Sequence, residues 1–469
     1  MSIGDLVETL RNGKHLIEIE ESVLADYELP WFTVNLARKT SKALLFKDVV
    51  DKEYPVTTNI YLGKIDISFH NSTSLIVENF KRLISILLNV SLDPSSKISV
   101  LASFAWISDV YPRVVGSQGF LRRSALEFDL TGLPAVRHTA REEHPVIKNP
   151  VILLSDPKTG QTILFSEPVQ VIDEKTLLLH IPRSSKAFMF LEESTKHSEA
   201  INAAIIIGVS PYLQLVSKMD WLPWFNKYLL AGGLSGGPVN LMRVDGNLYV
   251  PFDAETIILG ELVPGDVRPE GKMLYEDMRY YGGFPMPLVR AKALMHKPEP
   301  VFYTSITHPY LSDEYALNNL REQLMTEYVR LLAPDVSYLS FLSFDAYRTV
   351  VVGLKNANSR RAYEIGVLLF SLKLTPYLDT VVVVSAENKV EKVENLASML
   401  LTSLASNRIL YFENPQEEEL LRDARREKVI VDATSLRLDY ISERDVLTSD
   451  EFKDSREKYE KILQELRGE

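Results

Sequence analysis

Three acids and a glycine stand together in the stretch PEGKMLYED, where Glu270, Glu276 and Asp277 are flanked by Tyr275, Tyr280 and Tyr281. A carboxylate buried there acquires a raised pKa and can act as a general acid. The plain alternative for so acidic a stretch is a solvated loop. The glycines of GGLSGG at 232–237 have the look of a phosphate cradle. They lack the following Lys-Ser/Thr of a P-loop and the GxGxxG spacing of a dinucleotide fingerprint, so a structural turn is the simpler reading. WLPWFNKYLL at 221–230 has rings enough to line a pocket, with a packed helix or lid as its alternative. The eight histidines never fall at HxxxH or HExxH spacing, and there is no cysteine. Thiolate zinc sites, disulfides and cysteine nucleophiles are thereby excluded, and any metal must take His and carboxylate ligands.

These residues need a scaffold, and 469 residues exceed what one hydrophobic core organises, so two or three domains are expected. The apolar share of 46% and charged share of 25% are those of a globular protein rather than a disordered or fibrous one. The net charge of -11, with no Lys/Arg-rich block, argues against nucleic acid as a partner. MSIGDLVETLRNGKHLIEIEE carries charges throughout and does not read as a signal peptide, so a cytoplasmic location is expected. AINAAIIIGV and TVVVVSAE are far shorter than the roughly 20 residues of a membrane helix. They read as buried strands, and no membrane span is expected.

The chain divides by pattern into an N-terminal α/β domain at 1–110, a mostly β domain at 111–300, a C-terminal α/β domain at 301–448 and a charged tail helix at 449–469. In the first, VENFKRLISILLNVSLDP is apolar at helical spacing and ends before Asp93-Pro94. In the second, DPKTG between two apolar runs is a turn that pairs its flanking strands, since Pro157 presets one dihedral and Gly160 accepts positive φ. In the third, TVVVGLKN, SRRAYEIGVLLFSL and DTVVVVSAE read strand, helix, strand, a crossover between parallel strands.

Taken in order, DLVETLRNGKHLIEIEESV, KALLFKDVVDKEYPVTTNIYLG, NPVILLSDPKTG, LYVPFDAETIILGELVPGDVRPEG, RYYGGFPMPLVRAKALMHKPEPVFYTSI, VVVGLKNANSRRAYEIGVLLF and VIVDATSLR resemble the UbiD family almost end to end. These are decarboxylases that use prenylated flavin mononucleotide. The resemblance implies a central split β-barrel related to flavin reductases between two α/β domains, and a tail helix used in oligomerisation. It also implies a flavin phosphate beside a divalent manganese or magnesium held by Asn, His and Glu, and a catalytic Glu-Arg-Glu network.

The family's Asn-x-Gly-x-Tyr-Arg-x-Gln motif aligns on ILFSEPVQ, so Ile163 stands for the metal-binding Asn and Pro168 for the Arg, while Gln170 is retained. Neither Ile nor Pro can take over those roles. The metal-binding His falls near Ser184, with His180 four residues away and off-register. Lys227 replaces the metal-binding Glu; its ammonium repels a metal but can neutralise a phosphate. Trp221 and Trp224 intrude on the flavin loop. Pro269-Glu270-Gly271 is intact, and Glu276 is matched to the second acid, with Tyr275 or Asp277 as register alternatives. Two acids without their Arg are expected to repel.

The reading that follows is a UbiD-like protein without metal and without bound cofactor, a non-catalytic or altered subunit of a homo-oligomer or of a hetero-oligomer with an active UbiD-type paralogue. Its alternatives are an active carboxy-lyase on an aromatic or α,β-unsaturated acid, with Glu270 and Glu276 catalytic and the flavin held by Gln170 and Lys227, or a module binding a flavin or acidic metabolite.

Overall fold

The structure is a computed structural model. It describes residues 1–88, 97–116, 119–124, 126–222, 226–372, 374–375, 378–388, 397, 400–403, 406, 408–413, 427–435 and 458. The first helix, Ile3–Asn12, starts at a capping box in which Ser2 and Asp5 satisfy each other's backbone N–H, and it buries Ile3, Leu6, Val7 and Leu10. That three-to-four spacing is one face of a helix. Behind it lies a four-stranded sheet in the order Leu16–Ile19, Ala43–Phe46, Val56–Thr58, Phe302–Tyr303. The last of these strands comes from far downstream. The expected amphipathic helix is Thr73–Leu88, with Ile76, Phe80, Leu83 and Ile84 buried.

The central sheet has nine strands. Their order is Val146–Ile147, Val169–Val171, Thr176–Leu179, Pro285–His296, Thr256–Pro269, Ile201–Ile207, Val151–Ser155 and Thr162–Phe165, with Leu121–Ser124 paired to Pro285–His296. All these pairings are antiparallel, as expected of the mostly β segment. DPKTG joins two paired strands, with Leu154 opposite Ile163 and Gly160 at φ +71. The two longest strands shift register at Leu259/Gly260, where a Cβ on Gly260 would lie 2.4 Å from the Arg290 carbonyl oxygen. Only glycine lets the two backbones come that close.

The C-terminal sheet runs Val336–Phe341, Thr349–Leu354, Thr380–Ser385, Glu427–Ala433, Ile409–Glu413. Its three central strands are parallel, and helix Ser359–Leu372 crosses between the first two of them, the arrangement expected from strands apolar on both faces. The mixed α/β class read from the sequence is therefore the observed one. Helix Asp313–Leu332 packs on both Thr73–Leu88 and Val336–Phe341. One apolar core runs from the N-terminal helices, under one face of the central sheet, into the C-terminal sheet; the other face has its own core. The expected tail helix at 449–469 lies outside the described residues, position 458 apart.

Candidate functional site

Glu270 ends the long strand Thr256–Pro269 and is fixed from both sides. Its N–H donates to the Phe284 carbonyl at 2.7 Å, and its carbonyl accepts from Gly283 at 2.7 Å. Gln170 clamps the next residue, its amide donating to the Gly271 carbonyl at 2.6 Å and accepting from the Gly271 N–H at 3.0 Å. The retained glutamine thus holds the acidic loop. That loop is not the solvated one its composition allows, because the Glu270 side chain is fully buried.

Glu270 has a partner after all. Oε1 lies 2.7 Å from Nδ1 of buried His180, and the Tyr275 hydroxyl lies 3.1 Å from His180 Nε2. A carboxylate accepting from Nδ1–H fixes the tautomer of the ring. Where the sequence leaves Glu270 without its arginine, the structure gives it an imidazole as hydrogen-bond partner, and the cause is strand register. Leu179 pairs with Val169, so His180 lies opposite Pro168 and donates its backbone N–H to the Pro168 carbonyl at 3.1 Å. The imidazole reaches Glu270 from the strand facing the one that lost the arginine. Of the three register alternatives, Tyr275 joins this network. Asp277 accepts from Arg279 N–H and the Tyr281 hydroxyl, and Glu276 lines the cavity next door.

The other positions are absorbed into the chain's own packing. Ile163 lies on Thr162–Phe165, against the core of the central sheet. Ser184 is half-buried in the turn before helix Lys186–Ser194. Lys227 opens helix Lys227–Ser235, where Asn226 is the N-cap, and its ammonium is taken by Asp220 and the Ser217 carbonyl. The Trp221 ring packs between Phe80, at 6.0 Å, and Tyr328, at 5.3 Å; Trp224 lies outside the described residues. GGLSGG forms the end of the same helix and its turn, with Gly236 at φ +78 and Gly232 so close to Val110 that a Cβ would sit 2.3 Å from its carbonyl oxygen.

A cavity of about 130 Å³ lies between the central sheet and helix Asp313–Leu332, and Lys148, Ser166, Glu167, Tyr275, Glu276 and Glu314 are among its lining residues. On its far wall Glu314 accepts from Arg321 at 2.8 Å, Lys218 at 3.1 Å and Asn149 at 3.0 Å. Burial alone raises the Glu314 carboxyl, but Lys218 and Arg321 outweigh it and bring the group to about 2. Glu167 has no such partners, and burial pushes it up to about 7. Of these residues the sequence singled out Glu276, with Tyr275 as a register alternative, and Ser166 and Glu167 only as positions in ILFSEPVQ; the others are scattered from 148 to 321 and share no motif.

Glu314 makes stability acid-sensitive. Its folded pKa lies below the ordinary 4.5, so the unfolded chain binds the proton first, and stability present above that value is lost as pH falls toward 2. The loss is expected to be on the order of 3 kcal/mol. Urea midpoints measured between pH 5 and 2.5 check this, with Glu314→Gln flattening the slope; an equal slope in both proteins refutes the assignment.

A metal-bridged flavin needs a cluster of hard-cation ligands. Among the described residues no three His, Asp or Glu are grouped to hold a metal ion. At the aligned ligand positions stand Ile163, a half-buried Ser184 and Lys227, whose ammonium is taken by Asp220, and none of them brings a carboxylate or imidazole to a hard cation. These residues do not fit that group.

Residues 7–64 match the N-terminal domain of 3-octaprenyl-4-hydroxybenzoate carboxy-lyase, and residues 114–309 match the Rift-related domain of the same enzyme. The chain belongs to the UbiD family. The Synechocystis protein sll0936 is 22% identical over 377 residues, 78% of this chain and 74% of the relative. The closed form of vanillic acid decarboxylase from Sedimentibacter hydroxybenzoicus superposes at a TM-score of 0.78 with 18% identity, covering 100% of this chain and 99% of that one. An evolved dimeric form of HmfF from Pelotomaculum thermopropionicum, in complex with prenylated flavin, gives 0.74 with 20% identity, covering 97% and 98%. No helix among the described residues is long and apolar enough to cross a membrane.

Proposed function

We propose that this UbiD-family chain has given up metal-dependent flavin chemistry and serves as a subunit of an assembly, with copies of itself or with an active paralogue. The observation that carries the reading is that Pro168 is answered by His180 across the strand pair. The acidic loop is thereby locked in place without the arginine. Lys227, spent on Asp220, supports the same reading, because no free ammonium is left there for a phosphate. That one structural neighbour is a dimeric form fits an assembly role.

A working carboxy-lyase is the second reading, favoured by the intact Pro269-Glu270-Gly271 loop and by a Glu270 oxygen, Oε2, that is buried without a partner. In that reading Glu270 and Glu276 act on an aromatic or α,β-unsaturated acid.

The assembly role is tested on the tail. In the sequence Phe452, Tyr459, Ile462, Leu463 and Leu466 fall at the spacing of one helix face, so deleting 449–469 is expected to lower the mass seen by light scattering by at least one halving step. Pull-downs from the native cell are expected to recover a UbiD-type paralogue. An unchanged mass after truncation, together with recovery of the homo-oligomer alone, counts against the role.

A further inference from the structure

We infer that Lys148 is a nucleophilic amine that captures small aldehydes or ketones as an imine inside the cavity it shares with Glu167. Lys148 sits in the link between strands Val146–Ile147 and Val151–Ser155 and is 5% exposed. Lysines so deeply buried are almost always ion-paired. This one donates to the neutral Leu274 carbonyl at 2.6 Å, and among the described residues no carboxylate oxygen lies within 4.0 Å of its nitrogen. Its neighbour on the cavity wall behaves otherwise: Lys218 is paired to Glu314. One carbonyl acceptor suits a neutral amine, which gives one N–H and keeps its lone pair. Burial moves Lys148 in that direction, against the pull of Glu142 and Glu276.

Two further features of the cavity point to a ligand. Ser166 lines it, is 2% exposed, and its hydroxyl has no hydrogen-bond partner among the described residues; a buried hydroxyl left so is costly unless something fills the space. Glu167, on the same wall, is pushed up to about 7 by burial, so that it exchanges its proton near neutral pH, the range in which a general acid works. The size of the space sets the class of compound, since about 130 Å³ is the volume of about four waters. That admits a carbonyl compound of roughly three or four carbons.

The step balances within these residues. The Lys148 lone pair forms the C–N bond as Glu167 protonates the carbonyl oxygen. Glu167 then takes a proton back from the nitrogen and returns it to the new hydroxyl, which leaves as water. The product is a protonated imine beside an ionised Glu167.

The test uses the full-length protein with sodium cyanoborohydride and either propanal or pyruvate, followed by peptide mapping. Lys148 is expected to be alkylated at least tenfold faster than the surface lysines. Lys64 is the internal control for burial alone, because it too is buried, donates only to carbonyls, those of Ser41 and Leu62, and is lowered by burial to about 8, but lies outside the cavity lined by Ser166 and Glu167. In Glu167→Gln the Lys148 rate is expected to fall on the order of tenfold or more while the surface rates hold. Preference for pyruvate or for propanal says whether a carboxylate on the ligand is recognised; either supports the site. Labelling of Lys148 no faster than the surface lysines, or preferential labelling of Lys64, overturns the proposal, and the wild-type map alone decides this. Fast labelling that ignores Glu167→Gln overturns the role given to Glu167. The proposal does not depend on the assembly role, which the tail truncation tests separately.

Discussion

Purified from cells supplied with prenylated flavin, the protein is expected to hold flavin far below one equivalent and no stoichiometric manganese. A flavin phosphate carries charge that a protein buries only with counter-charge, and the family supplies it through a cation on oxygen and nitrogen ligands. Here the aligned positions are an isoleucine packed in a core, a half-buried serine and a lysine already bound to Asp220. None of them is a hard-cation ligand of the required charge. The catalytic arginine is a proline whose carbonyl is spent on His180. Decarboxylation and substrate hydrogen exchange are accordingly expected to stay at background with cinnamate-like and hydroxybenzoate-like acids. Absorbance spectra and metal analysis of the purified protein check the first part, and deuterium incorporation checks the second. Near-stoichiometric flavin with bound manganese, and turnover that vanishes in Glu270→Gln, establish the carboxy-lyase reading instead.

The parts of this fold that were legible in the sequence are those fixed by local chemistry. Helix Thr73–Leu88 shows as a three-to-four spacing of apolar residues, the DPKTG hairpin as Pro157 and Gly160 between apolar runs, and the C-terminal crossover as strands apolar on both faces. The site was legible only as losses, because a motif aligned on ILFSEPVQ reveals that an arginine is missing but not what replaces it. His180 lies twelve positions from Pro168 along the chain and directly across from it in the sheet. The register of the strands Val169–Val171 and Thr176–Leu179 is the signal that links them, and a linear comparison does not contain it. Lys227 and Asp220 were both in view, yet their pairing depends on where helix Lys227–Ser235 begins. Lys148 belongs to no motif; what marks it is burial without a carboxylate, a property of the folded chain alone.

Replacing Arg321 by alanine is expected to destabilise the protein by about 3–5 kcal/mol, the range for removing one partner of a buried ion pair. Arg321 is 2% exposed and is among the largest fully buried side chains. Its guanidinium ties two helices together. Nε donates to the Leu215 carbonyl at 2.9 Å and one terminal nitrogen to that of Gln214 at 3.2 Å, so a cation meets the last turn of helix Pro211–Ser217. The other terminal nitrogen donates to Glu314 at 2.8 Å and Asn318 at 2.6 Å on its own helix. Alanine takes a donor from each of the two carbonyls, leaving that of Gln214 the Ser217 hydroxyl, and leaves Glu314 with Lys218 as its one remaining cationic partner among the described residues, beside the Asn149 amide. Arg321→Lys keeps the charge without the planar fork and is expected to recover only part of the loss. Tryptophan fluorescence during urea unfolding is a suitable readout, because Trp221 packs on Tyr328 of the same helix. The double variant Arg321→Met with Glu314→Leu, which removes both charges, is expected to be less damaged than Arg321→Ala. If Arg321→Ala costs under about 1 kcal/mol, the range of an exposed pair, the cluster is not the desolvated joint described above. If the double variant is the worse of the two, the cost lies in lost packing rather than in an uncompensated Glu314 charge.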